Sequence, residues 1–265
     1  MPLIIAHGQP KSGSTFLFQA AVALRDRVDG TELYAVLRRL LGQNASVFYD
    51  HIPLERVQTI LEAAGPETLI IKTHGPLPDD VRPLLEQGLV KAFTSFRDPR
   101  DACRSMLDAG ASDRAKGSTR WFASKTRVED LTGPIAHQYR SLQTWLDCPQ
   151  VLAIPYYITA NHQDAAVRLL CRHLGYGALG RLIAAQMQER RSSVPEFYKG
   201  ISDRFLSDFS AEEIAFLNGA LAPQIAAYER HAAERMARLG HRMLHTHLVA
   251  LRNAHLDRLS LAVGA

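Results

Sequence analysis

A short apolar run, Leu3-Ile4-Ile5-Ala6, breaks into His7-Gly8-Gln9-Pro10-Lys11-Ser12-Gly13-Ser14-Thr15 and then into Phe16-Leu17-Phe18-Gln19-Ala20-Ala21-Val22-Ala23-Leu24. This order of strand, glycine-containing loop and helix places a helix N-terminus, with roughly half a positive charge, at the end of a buried strand. Lys11, Ser14 and Thr15 add donors where an anion would sit. The segment therefore predicts a phosphate cradle. Its order departs from a Walker A loop, in which lysine follows the last glycine, because here Lys11 precedes Gly13. That departure argues against an ordinary ATPase.

A second element sharpens the first. The strand-like run Lys91-Ala92-Phe93-Thr94-Ser95-Phe96 feeds Arg97-Asp98-Pro99-Arg100-Asp101-Ala102-Cys103-Arg104-Ser105. Asp98 suits a helix cap and Pro99 the first helical turn, which puts Arg97 at a strand end and Ser105 on the following helix. Arginine's planar fork suits bidentate phosphate recognition, and a serine hydroxyl adds a donor. Two phosphate sites predict a ligand with phosphates at both ends. Arg100 and Arg104 read as surface charges or as partners of Asp98, Asp101 and Asp108.

Strands are predicted at 2–7, 68–73, 90–96 and 151–155. Apolar positions at three and four spacing predict helices at 15–28, 32–41, 54–64, 78–87, 99–109, 128–146 and 163–174. Strands alternating with helices imply an α/β fold with a central parallel sheet covered on both faces. Ligands of such sheets bind beyond the strands' carboxyl ends, where Lys11, Lys72, His74 and Arg97 all fall. The polar stretch from Ala111 to Arg127 reads either as a surface loop or as an acceptor-side lid, with Trp121 and Phe122 needing burial.

Three motifs in order resemble those of sulfotransferases that use 3′-phosphoadenosine 5′-phosphosulfate (PAPS). Pro10-Lys11-Ser12-Gly13-Ser14-Thr15-Phe16 resembles the family's 5′-phosphosulfate loop, commonly Pro-Lys-Ser-Gly-Thr-Thr-Trp, with Phe16 in place of tryptophan. Arg97 through Ser105 resembles its 3′-phosphate motif, and Leu69-Ile70-Ile71-Lys72-Thr73-His74 its strand ending in the catalytic histidine. The likeness covers residues 3–239 and fades after Ser105. Val151 to Tyr156 is similar to the strand that leads into Arg-Tyr-Glu-Asp, with only Tyr156 kept as a nucleotide contact. Lys199 and Gly200 match the late Arg-Lys-Gly-x-x-Gly-x-Trp segment, from which Tyr198, Asp203 and Phe205 depart.

The resemblance implies a P-loop-like sulfotransferase domain over residues 1–240. Its activity would be transfer of a sulfuryl group from PAPS to a hydroxyl or amine of a small-molecule acceptor, releasing 3′,5′-adenosine bisphosphate. His74 is then the general base, Lys11 stabilises the leaving group and Lys72 contacts the sulfuryl oxygens. Ser12, Gly13, Ser14, Thr15 and Phe16 hold the 5′ end, Arg97 and Ser105 the 3′-phosphate, and Tyr156, Lys199 and Gly200 complete the nucleotide site. Two lysines suffice for a sulfuryl group, which carries less charge than a phosphoryl group, so no metal is expected. A nucleotide-dependent kinase and a catalytically inactive nucleotide-binding protein remain alternatives; the first lacks a Walker-type lysine and evident magnesium carboxylates. Residues around Tyr49 and His51 are acceptor-side candidates by position, and the acceptor itself is not legible.

At 265 residues and 46% hydrophobic, the chain is long enough for one undivided α/β domain. The odd, scattered Cys103, Cys148 and Cys171 fit neither a disulfide framework nor metal-ligand spacing, which points to a reducing compartment. No stretch approaches the ~18 apolar residues of a membrane span, so a soluble, cytoplasmic protein is expected. The net charge of +4 fits an anionic ligand. Nucleic-acid binding is not expected, because basic and acidic residues interleave without an aromatic-basic platform. Beyond residue 240, a helical extension at 241–265 carries Leu244, Leu248, Leu251, His255 and Leu259 on a stripe that must bury against the core or against the second subunit of a homodimer. His241, His245 and His247 lie within it; with no HExxH glutamate they read as part of an ordinary amphipathic helix.

Overall fold

The runs Leu3-Ile4-Ile5, Leu69-Ile70-Ile71 and Ala92-Phe93 show no alternation of apolar and polar residues, as strands covered on both faces require. In the computed structural model, which describes residues 3–190 and 201–238, they lie in strands β1 (Leu3–Gly8), β3 (Leu69–Thr73) and β4 (Val90–Phe96). Together with β2 (Phe48–Tyr49) and β5 (Val151–Pro155) they form one sheet in the order β2-β3-β1-β4-β5. Every neighbouring pair is parallel. The register sets His7 beside Thr73 on one side and Thr94 on the other. The order reverses about β1, so the crevice beyond the carboxyl ends of β1, β3 and β4 is where an open sheet of this kind receives a ligand.

The helices follow in chain order: α1 (Ser14–Asp29), α2 (Leu33–Leu41), α3 (Leu54–Ala64), α4 (Arg82–Glu86), α5 (Pro99–Ala115), α6 (Glu129–Leu146), α7 (Tyr156–Asn161), α8 (Gln163–His173) and α9 (Gly180–Glu189). After them come α10 (Phe205–Asp208), α11 (Ala211–Ala220) and α12 (Ala222–Arg238). The chain divides into two units, Met1–Arg97 with His137–Ser202, and Asp98–Ala136 with Asp203–Ala265. The first holds the whole sheet. Its core has Leu3, Ile5, Leu17, Ile60, Ile71 and Phe93 fully buried, with His7, Thr73 and Thr94 buried among the strand ends.

The second unit is helical and laced with ion pairs. The Asp98 side chain caps α5 by accepting from the Arg100 N–H at 2.8 Å, and its carboxylate holds the Arg100 guanidinium at 2.6 Å. Arg100 lies over the Phe205 ring at 4.3 Å and is buried, so of its two readings the partner of Asp98 holds and the surface charge does not. Asp108 bridges Arg104 and Arg204 at 2.5 and 2.6 Å, and Asp101 accepts the N–H groups of Asp203 and Phe205. Removing one member of such a set leaves a buried charge unpaired, which is costlier than the pair is stabilising.

Helix α5 runs six residues beyond the expected Ala109, absorbing Ala111 to Ala115. A 3-10 turn, Trp121–Ser124, follows. Trp121 is 49% exposed there rather than buried. Its ring meets Phe122 edge-on at 5.1 Å and the Lys125 ammonium at 5.0 Å, contacts that cover an indole from the side without a core. The expected extension at 241–265, with its histidines and leucine stripe, lies outside the described residues.

Candidate active site

The chain leaves β1 at Gly8 and enters α1 at Ser14, so the loop between them is only five residues long. Gly8 is obligatory at this close approach, because a Cβ there would lie 2.3 Å from Ser14 Cβ and 2.7 Å from Ser95 Oγ. Lys11 (φ 67°) and Gly13 (φ 81°) both adopt left-handed backbone. For lysine that conformation is uncommon, and strain of this kind collects where a loop must present its groups in one geometry. A Cβ on Gly13 would also press on Thr159 Cγ2 at 3.0 Å and Tyr156 Cδ2 at 3.2 Å.

Ser12 shapes this loop from inside. Its fully buried hydroxyl donates to the Gln9 carbonyl at 2.5 Å and lies 2.7 Å from the Ser95 hydroxyl, and its N–H also returns to Gln9. The N–H groups of Phe16 and Leu17 bond the Gly13 carbonyl, while no side chain caps the helix at Gly13. An uncapped N-terminus directs partial positive charge and backbone donors at whatever sits before it.

Lys72 and His74 alternate by two along the end of β3, which puts them on one side of the strand. Lys72 Nζ donates to Thr15 Oγ1 at 3.0 Å, tying the strand to the first turn of α1. His74 Nδ1 lies 2.5 Å from the Gly8 carbonyl oxygen. A carbonyl only accepts, so Nδ1 carries the proton and, in the neutral ring, Nε2 carries the lone pair. That is the tautomer a general base needs. Phe48, an exposed residue of the edge strand β2, sets its ring 5.2 Å from the His74 ring.

Arg97 is 4% exposed and is held on every side. Its N–H donates to Gln9 Oε1 at 3.0 Å and its carbonyl accepts from the Tyr139 hydroxyl. The guanidinium donates to the carbonyls of Lys11 (3.0 Å) and Ile201 (3.2 Å) and stacks 3.9 Å from the Tyr156 ring centroid. The loop after β1, the start of α7 and residue 201 thus converge on one arginine. Gln9 Nε2 and Thr159 Oγ1, beside the same loop, are buried without a hydrogen-bond partner among the described residues.

Known structures share the fold that carries this arrangement. The crystal structure of mouse sulfotransferase SULT7A1 complexed with PAP superposes with a TM-score of 0.56 at 16% identity, over 91% of this chain and 89% of that one. The chain has the sulfotransferase fold. A retinol dehydratase in complex with androsterone and PAP matches at a TM-score of 0.46 and 14% identity, over 88% and 80% of the two chains. No protein-family model and no curated protein sequence matches the chain.

On this sulfotransferase fold, Lys11, Ser12, Gly13, Ser14, Thr15 and Phe16 come at the junction of β1 and α1, and Lys72 and His74 bond directly to that junction. Arg97 and Tyr156 stack on each other beside it. Phe16 is buried in the core face of α1. Ser105 is half-buried on α5, in the second unit, and its expected phosphate contact rests on the motif alone. Lys199 and Gly200 lie outside the described residues. Gln9, Phe48, Tyr139 and the Ile201 carbonyl were not foreseen: a main-chain acceptor leaves no mark in a sequence, and a two-residue edge strand has no periodicity to detect. Among the described residues no helix is long and apolar enough to cross a membrane, and no cluster of His, Cys, Asp or Glu could hold a metal ion. All three cysteines are buried and outside any disulfide.

Proposed function

We propose that the protein is a PAPS-dependent sulfotransferase, transferring a sulfuryl group to a hydroxyl or amine of a small molecule. The observation that carries this reading is the bond from His74 Nδ1 to the Gly8 carbonyl, which aims a basic Nε2 from the edge of an anion-binding loop. The unpartnered Gln9 and Thr159 groups and the uncapped start of α1 are the donors that a phosphate-bearing nucleotide would satisfy. When bound, PAPS supplies the sulfuryl group and an adenosine bisphosphate leaving group.

His74 Nε2 takes the proton of the acceptor as its oxygen or nitrogen bonds to sulfur. Lys11, together with the N–H groups at the start of α1, holds the 5′-phosphate oxygen that keeps the electron pair of the broken S–O bond. Lys72, positioned through Thr15, neutralises charge on the sulfuryl oxygens. Ser12 serves by fixing the loop's shape, since its hydroxyl is committed to Gln9 and Ser95. Arg97 receives the 3′-phosphate by exchanging its main-chain carbonyl partners for it, with Tyr156 supporting the guanidinium. Phe48 gives an acceptor an apolar surface next to the base. Residues 199–200 keep a part in the nucleotide site through the motif, and a cytoplasmic setting and a dimer through residues 241–265 belong to the same proposal.

Calorimetry with 3′,5′-adenosine bisphosphate, against ATP with and without magnesium, tests the donor site. Magnesium-independent binding of the bisphosphate that collapses in Arg97→Ala is the expected result. Preference for magnesium-ATP would replace the proposal with a kinase. Turnover of PAPS with a panel of phenols, alcohols and amines then tests the chemistry: His74→Ala should abolish it while nucleotide affinity stays within a few-fold.

A further inference from the structure

The residues that follow His74 leave the sheet for a loop, yet each of the next peptides has a partner. The Gly75 N–H donates to Thr73 Oγ1 at 3.0 Å, the Gly75 carbonyl accepts from Trp145 Nε1 at 2.9 Å, and the Leu77 N–H donates to Thr144 Oγ1 at 2.7 Å. Pro76, between them, has a fixed φ and no N–H to satisfy. The peptides 74–75, 75–76 and 76–77 are thus held in succession, every one by a side chain. A loop held in this way loses the freedom that an exposed connection normally keeps.

Two of the three partners are neighbours in the last turn of α6. Tyr139, Leu142 and Trp145 recur at helical spacing on this helix and are buried. The Trp145 indole is fully buried and stacks on the His7 ring, with centroids 4.8 Å apart and planes 12° from parallel. Held flat, it aims Nε1 at the Gly75 carbonyl. The Thr144 hydroxyl donates to the Ser141 carbonyl at 2.8 Å, which turns an oxygen lone pair to the Leu77 N–H. Further back on α6, the Tyr139 hydroxyl donates to the Arg97 carbonyl, away from this loop.

We propose that Trp145 and Thr144 are positioning residues: they fix the main chain that follows His74 and so hold its ring against the Gly8 carbonyl, with Nε2 bare. This rests on His74 as the base. The His74 ring is joined to its main chain by only two side-chain torsions, so its bond to Gly8 lasts only while the chain on either side stays in place. On the strand side β3 does this, through its pairing with β1; on the loop side the last turn of α6 does it. An imidazole that loses the Gly8 bond samples both tautomers, and a displacement of about 1 Å at a reacting group lowers turnover on the order of 100-fold.

Near-isosteric variants remove these bonds one at a time. Trp145→Phe keeps a ring in the stack and loses the donor; Thr144→Val keeps the volume and loses the acceptor. Imidazole 15N NMR on the full chain without ligand reads the outcome, the His74 signals being identified by their loss in His74→Gln. The wild type should show His74 as a single Nδ1–H tautomer. Each variant should average the His74 signals between tautomers, the double variant more than either, and Thr144→Ser should restore the wild-type pattern. Tyr139→Phe, which removes a bond from the same helix to Arg97, should leave the His74 signals unchanged. A folded double variant with His74 still in one tautomer would overturn the proposal, as would averaging already present in the wild type. Equal averaging in Tyr139→Phe would overturn it too, since the effect would then be a general loosening of α6. If the double variant does not fold, the single variants decide by the same criterion. With PAPS and any acceptor found to turn over, the double variant should lose kcat on the order of 100-fold while KM for PAPS is unchanged. Retained turnover in His74→Ala would instead remove the base assignment, and it would do so without altering the NMR result.

Discussion

The loop after β1 and the arginine after β4 differ in how they would do the one task proposed for both, holding a phosphate. In the loop the backbone carries the geometry, through left-handed Lys11 and Gly13, a buried Ser12 and an uncapped helix. At the end of β4 a side chain carries it, and that side chain is engaged with the carbonyls of Lys11 and Ile201. The loop is preorganised, whereas Arg97 would have to exchange partners to take a phosphate. A ligand with phosphates at both ends would therefore meet a ready site at one end and rearrange the other.

The largest effects should come from the preorganised side. Lys11→Gly removes the ammonium but relieves the left-handed backbone, so kcat should fall on the order of 10²- to 10³-fold with no loss of Tm. A parallel fall in Tm would mean that Lys11 is structural. Arg97→Ala should weaken 3′,5′-adenosine bisphosphate by about 100-fold, and should also cost stability of about 1 kcal/mol, because the partly buried carbonyls of Lys11 and Ile201 lose their donor. Arg97→Lys should not restore binding, since a lysine cannot fork across two acceptors and stack on Tyr156. Full affinity in Arg97→Ala would end the comparison by placing the 3′-phosphate elsewhere.

A smaller effect separates shape from contact within the loop. Ser12→Ala should lower stability by about 1–3 kcal/mol in urea denaturation while changing nucleotide affinity only a few-fold. The reverse pattern would return Ser12 to the phosphate, as its place in the motif suggests.

How much of this was legible beforehand follows the same division. β1, β3, β4 and β5 read clearly because unbroken apolar runs have one physical use, and Asp98 with Pro99 announced the start of α5. Lys11, Lys72, His74 and Arg97 were legible as a set because strand ends are where a parallel sheet collects its ligands. What the residues do to one another was not. The direction of the Ser12 hydroxyl and the carbonyl partners of Arg97 depend on register and on main-chain atoms, which side-chain patterns do not encode. Trp121 misled for a related reason: a tryptophan flanked by a phenylalanine and a lysine can stay half-exposed, whereas Arg100 took the second of its two readings, as a buried partner of Asp98.

The smallest effect concerns acid. His7 is held below the ordinary histidine value of 6.5 by burial first and by His74 second. His173 is lowered by burial and by the charge of Lys91, partly offset by its bond to the Ala92 carbonyl at 2.8 Å. In the unfolded chain both rings bind protons as pH falls through about 6.5, whereas in the folded chain they do not, so the unfolded state holds more protons. Stability must then rise with pH across this window: the contribution is fully present above 6.5 and is lost progressively below it. Urea midpoints at pH 7.5 and 5.5 should show the fall, and His173→Gln, which cannot titrate, should reduce it. A midpoint that is unchanged by acid would mean that both rings open to solvent before the sheet does, and the rigid end of β1 on which His74 rests would have to be reconsidered.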